Sequence, residues 1–163
     1  MDTKLYIIKG KENAGKTSTC WMLLNKLKEQ VEIYEYWDIR SSQVYVFDSE
    51  RLAYIDKRKR ACDFVVIITL KITHQRIAII SAGDEEWRLK KDIFYMLYRG
   101  VTHIVCSARM QTRSNSTWKM LNRVFTRQQI VCVEEVYFSE EIPIKRKYEE
   151  EVSEKVYKQL VQH

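Results

Sequence analysis

Lys4-Leu5-Tyr6-Ile7-Ile8-Lys9, running into Gly10-Lys11-Glu12-Asn13-Ala14-Gly15-Lys16-Thr17, is the stretch whose reading decides the fold. Its first six residues place apolar side chains between two lysines and predict a short buried strand over Lys4 to Lys9. From Thr17 to Gln30 the apolar positions Trp21, Leu24 and Leu27 recur at helical spacing and predict a helix. Between strand and helix lie Gly10 and Gly15, which let the backbone turn tightly and bring its N–H groups inward.

Outward from that unit, strand and helix patterns alternate. Val31 to Trp37 and Gln43 to Phe47 read as β-like and aromatic-rich. Phe64 to Leu70 and Arg76 to Ser81 are apolar runs separated by the polar stretch Lys71 to Gln75, with His74 in the turn, which predicts a hairpin. Asp84 to Arg99 predicts a helix with Trp87, Ile93, Phe94 and Leu97 inward and Gly100 as its stop. His103 to Ser107 is a strand, Ser116 to Arg127 a helix and Ile130 to Val136 a strand. Pro143, the only proline, is placed in a loop before a closing helix over Tyr148 to Val161. That helix has an apolar stripe of Val152, Val156 and Leu160, with Glu151–Lys155 and Glu154–Lys158 as i,i+4 pairs. The expectation is one α/β domain over residues 1–163, a three-layer sandwich on a mostly parallel sheet that includes one antiparallel hairpin.

Gly10, Gly15, Lys16 and Thr17 match G-x-x-x-x-G-K-[ST] at every specified position, with a strand before and a helix after. The segment resembles the Walker A motif of the P-loop NTPase superfamily. The resemblance covers the first strand, loop and helix closely and the rest only as an α/β pattern. It implies that Gly10, Lys11, Glu12, Asn13, Ala14, Gly15, Lys16, Thr17 and Ser18 cradle a nucleoside triphosphate. Lys16 would meet the β- and γ-phosphates, and the Thr17 hydroxyl would ligate Mg²⁺. The helix N-terminus adds its dipole to the anion site.

The resemblance also calls for an acid beyond an apolar strand. Asp84, after Ile77-Ala78-Ile79-Ile80 and Ser81-Ala82-Gly83, is chosen for metal and catalysis. The family places this acid directly after the apolar residues, whereas three residues intervene here. Its other reading is an acidic helix start with Glu85 and Glu86. Asp48, after Val44-Tyr45-Val46-Phe47, is the rival, as metal acid, base for an acceptor hydroxyl, or turn residue. Arg109 follows the HIVCS strand, so in a doubly wound sheet it belongs on the side of the loop, where a guanidinium aids phosphoryl transfer. Arg113 reads as solvated surface.

Composition bounds the rest. Among the 163 residues, hydrophobic types make up 45% and charged types 31%, a globular balance that argues against disorder. No apolar run approaches the roughly 18 residues of a membrane span. Met1-Asp2-Thr3-Lys4 has no basic-then-apolar leader pattern. Cys20, Cys62, Cys106 and Cys132 form no CxxC pair, which argues against zinc or iron–sulfur sites and for a reducing, cytoplasmic setting. The net charge of +6 favours anionic partners. Lys57-Arg58-Lys59-Arg60 and Lys145-Arg146-Lys147 read either as solvated loops or as a surface for a nucleic acid or phosphorylated substrate.

Three functions are compatible with these residues. The first is a phosphotransferase using Mg²⁺ and ATP on a small or nucleotide-like acceptor. The second is an ATP-hydrolysing switch or motor-like NTPase read by a protein or nucleic-acid partner. The third is a nucleic-acid-associated module using the basic clusters. A guanine-specific switch is disfavoured, because N-K-x-D is absent and Gly83-Asp84 does not reproduce D-x-x-G. Preference for adenine, or indifference to the base, is therefore expected.

Overall fold

The computed structural model describes residues 2–12, 14–38, 43–47, 63–110 and 116–162. In chain order these form β1 (Lys4–Gly10), α1 (Lys16–Leu27), β2 (Val31–Asp38), β3 (Gln43–Phe47), β4 (Val65–Leu70), β5 (Arg76–Ile80), α2 (Glu86–Tyr98), β6 (His103–Arg109), α3 (Thr117–Val124), β7 (Ile130–Glu135) and α4 (Ile142–Gln162). The strands make one sheet in the order β3-β2-β4-β5-β6-β1-β7.

The sheet is mixed. β5, β6, β1 and β7 are parallel neighbours, joined through helical crossovers as parallel pairing requires. The β4–β5 hairpin is antiparallel, with Val65 opposite Ile80 and Thr69 opposite Arg76. His74 takes a left-handed φ of 54° in its turn. β2 pairs antiparallel with both β4 and β3. The antiparallel half is thus larger than the single hairpin read from sequence, and the parallel half carries the loop.

Period-two alternation sorts the strand residues onto two cores. Tyr6, Ile8, Val66, Ile68, Ile77, Ile79 and Val105 face α1 and α4, meeting Trp21, Leu24, Val152 and Val156. Leu5, Ile7, Val65, Ile67, Ala78, Ile80, Ile104 and Cys106 face α2 and α3, meeting Leu89, Ile93, Met96 and Leu121. Helices therefore cover both faces, the three-layer arrangement, and the central strands read as unbroken apolar runs because neither face meets water.

Three sequence expectations about the helices are corrected. Trp87 and Phe94 are 67% and 51% exposed. The inward stripe of α2 is Leu89, Ile93 and Met96, at i, i+4 and i+7, and Trp87 and Phe94 lie on another face. Pro143 is the second residue of α4 rather than part of a preceding loop. Its missing N–H has no intrahelical acceptor there in any case, so proline is tolerated. Glu154 pairs with Lys158 as expected, whereas Glu151 pairs back to Lys147 and Lys155 reaches Glu134 on β7. Among the described residues no helix is long and apolar enough to cross a membrane.

Candidate functional site

One edge of the sheet gathers four stretches that are distant in sequence. β1 ends at Gly10, which lies opposite Arg109 at the end of β6. β5 ends nearby and continues into Ser81-Ala82-Gly83-Asp84. β4 runs the other way, so its beginning, not its end, comes to this edge. There the Ser81 amide donates to the Phe64 carbonyl at 3.0 Å, and the Phe64 amide donates to the Ser81 hydroxyl at 2.7 Å. Asp63 is thereby placed beside the first turn of α1.

The loop from residue 11 to 15 bends back on itself, with the Ala14 amide donating to the Lys11 carbonyl at 3.2 Å. Gly15 caps α1 with φ 102°, a conformation that costs a residue with a Cβ about 1 kcal/mol or more. A Cβ there would stand 2.3 Å from the Glu149 carboxyl, so α4 is packed directly against the loop. The first turn of α1 holds Lys16, Thr17 and Ser18, with no acidic residue and no side-chain cap. Helix geometry leaves their amides without intrahelical acceptors, which makes this an anion-favouring terminus.

Lys16 is 7% exposed. Its Nζ donates to the carbonyls of Lys11 at 2.8 Å and Gly10 at 3.2 Å, and Asp84 lies 3.9 Å away. Burial pulls its pKa below the ordinary lysine value; the Asp84 carboxylate opposes this, Arg109 adds to it, and Asp63 opposes it. Lys16 and Arg109 thus repel each other at this end of the sheet. The Arg109 guanidinium pairs with Glu12 of the loop, and among the described residues its buried Nε has no partner. The α3 start fixes its backbone: the Arg109 amide donates to Thr117 Oγ1 at 2.6 Å, and Ser116 Oγ donates to its carbonyl at 3.2 Å.

The acid beside Thr17 is not the one singled out from sequence. Thr17 Oγ1 donates to Asp63 Oδ1 at 2.7 Å, and Ser81 Oγ donates to the same oxygen at 3.3 Å. Asp84, half exposed, sits two residues before α2 and keeps to Lys16. Gly10, Lys11, Glu12, Ala14, Gly15, Lys16, Thr17, Ser18, Asp84 and Arg109 are thus all brought to this edge. Asn13, Asp48, Arg113 and the cluster Lys57–Arg60 lie outside the described residues. Lys145, Arg146 and Lys147 fall in the first turns of α4, and the first two act electrostatically on Glu149. Asp63 was missed because acids were sought only after strands. The signal was present, since a hairpin sets the residue before its first strand beside the end of its second.

Glu149 is 4% exposed. Burial raises its carboxyl pKa, while Lys145 and Arg146 pull it partly back. A raised folded-state pKa means that the folded chain holds this proton more tightly than the unfolded one. The associated stability is full below the unfolded-state value and is lost as pH rises through the folded one. Glu149→Gln, similar in shape and neutral, is expected to melt higher than wild type near neutral pH and to converge with it at about pH 4. Melting curves across that range check this, and a constant difference would contradict it.

No protein-family model, no curated protein and no solved structure matches this chain.

Proposed function

We propose that the chain is a P-loop enzyme that binds ATP with Mg²⁺ at residues 10–18 and transfers the γ-phosphoryl group to a small or nucleotide-like acceptor. The observation that carries this reading is that Lys16, in the uncapped first turn of α1, and Arg109, in register with Gly10 at the end of β6, stand at the same end of the sheet. A buried lysine and a part-buried arginine that repel each other gain most from a multiply charged anion between them, and amides of that turn supply further donors. The orphaned Arg109 Nε is a buried donor that such an anion would satisfy.

Thr17 and Asp63 suit Mg²⁺. Their oxygens stand 2.7 Å apart, close to the ~2.9 Å between neighbouring ligands of an octahedral ion bonded at 2.0–2.1 Å. Both are hard oxygen donors, and Mg²⁺ is ordinarily held by one or two carboxylates together with substrate phosphates. When bound, the ion would neutralise charge on the β- and γ-phosphates. Metal contact is therefore assigned to Thr17 and Asp63, and Asp84 to orienting Lys16. Lys16 would hold the β- and γ-phosphates, and Arg109 would meet charge as it develops on the transferred group, which favours the transition state over the ground state.

Calorimetric titration of ATP, with and without Mg²⁺ and in competition with GTP, tests the reading. Wild type is expected to bind ATP more tightly with Mg²⁺ and without selection for GTP. Asp63→Asn should raise the Mg²⁺ concentration required by roughly tenfold or more, whereas Asp84→Asn should leave it unchanged. A shift in Asp84→Asn alone would exchange the two assignments, and failure of wild type to bind ATP would sink the proposal. Phosphate released to water rather than to a panel of nucleoside monophosphates and small alcohols would make the enzyme a hydrolase.

A further inference from the structure

Glu12 is an unexpected residue at the mouth of a site for polyanions. Its side chain is 68% exposed, and its carboxylate is engaged by the Arg109 guanidinium. A glutamate in an exposed turn would ordinarily face water, and an exposed ion pair of this kind contributes little to stability. Its effect on the site is larger, because the same guanidinium acts electrostatically on Lys16. Lys16 is similarly occupied by acceptors of the loop itself, the carbonyls of Gly10 and Lys11.

Resting on the reading of residues 10–18 as a phosphate site, we propose that Glu12 is an internal counter-anion that positions Arg109 before the ligand arrives and is displaced from it by the incoming phosphates. The chemistry is an exchange of one anion for another. Arg109 is held near its working position by Thr117 and Ser116 through its backbone, so only the tip of its side chain changes partner. A carboxylate carries one negative charge and accepts on two oxygens, whereas a terminal phosphate carries more charge and presents three. The stronger acceptor wins, and the loop is freed of Glu12 as it does. Glu12 is therefore a positioning residue.

The test is titration of inorganic tripolyphosphate and of inorganic phosphate into wild type, Glu12→Gln, Arg109→Ala and the double variant. Tripolyphosphate avoids any dependence on the base. Glu12→Gln is expected to bind tripolyphosphate about tenfold more tightly than wild type, since the competing carboxylate and its repulsion are both removed, and to gain less for inorganic phosphate, whose smaller charge feels less of that repulsion. In the Arg109→Ala background the gain from Glu12→Gln should shrink to about twofold, the part that is repulsion alone. A gain in affinity is a readout that structural damage does not produce. An equal gain in both backgrounds would show that Glu12 acts only as a nearby charge, and unchanged or weaker binding by Glu12→Gln would show no competition at all; either overturns the inference while leaving the phosphate site standing. If neither wild type nor any variant binds tripolyphosphate, the phosphate-site reading fails and the inference fails with it.

Discussion

Lys16→Ala is expected to weaken Mg²⁺–ATP binding on the order of 100-fold, with any turnover falling at least as far. One charge-assisted hydrogen bond contributes about 1.5–3 kcal/mol, and an ammonium bridging two phosphates makes more than one, so a loss of two decades follows at 1.4 kcal/mol per decade. The fold should survive. Lys16 is 7% exposed and its pKa is held down by burial, so the substitution removes a charge that the folded state accommodates unfavourably. Of the two carbonyls that it leaves, that of the exposed Lys11 can take water in place of the ammonium, and that of Gly10 still accepts from the Met110 amide. Calorimetric titration beside a circular dichroism melt separates the two effects. Unchanged ATP affinity in a folded variant would remove lysine from the phosphate site and end the P-loop reading.

Gly83→Ala carries the largest expected effect on stability. An added Cβ would stand 1.8 Å from the Ser107 carbonyl oxygen and 2.4 Å from its carbon. Ser107 is fully buried in β6, between β5 and β1, and its hydroxyl donates to the Ser81 carbonyl. Backbone locked on both sides cannot withdraw as a flexible side chain would. Overpacking of this kind costs about 3 kcal/mol, a fall in Tm of roughly 6–12 °C for a domain of this size. Ser107→Ala should not rescue it, because removing the hydroxyl at 2.5 Å leaves the carbonyl oxygen at 1.8 Å in place. A Tm within about 2 °C of wild type would show that the 81–84 turn moves freely. If it moved, Asp84 would move with it and leave Lys16.

Gly83 illustrates how differently one residue reads in sequence and in space. From the sequence it is a small residue that permits close backbone approach ahead of a candidate acid. In the structure this close approach is made to the backbone of β6 at Ser107. The acid that follows it reaches Lys16, while Thr17 takes its carboxylate from Asp63.

Local chemistry made one part of the protein legible from sequence alone. The strand over Lys4 to Lys9, the glycine-flanked loop and the start of α1 involve residues only a few positions apart, so apolar periodicity and glycine placement suffice to place Lys16 and Thr17 at a helix N-terminus. The alternation of elements, the β4–β5 hairpin and the apolar stripe of α4 were readable for the same reason. Tertiary structure alone decided what meets that turn. Asp63 arrives because β4 runs antiparallel to β5, Glu149 because α4 packs along α1, and the Glu12–Arg109 pair because β6 lies beside β1 in register with Gly10. It also chose between two apolar stripes on α2, burying Leu89, Ile93 and Met96 and leaving Trp87 and Phe94 outside. The physical reason is that periodicity specifies which residues share a face, whereas strand order, strand direction and helix phase depend on how distant faces pack together, and no short stretch of chain encodes that.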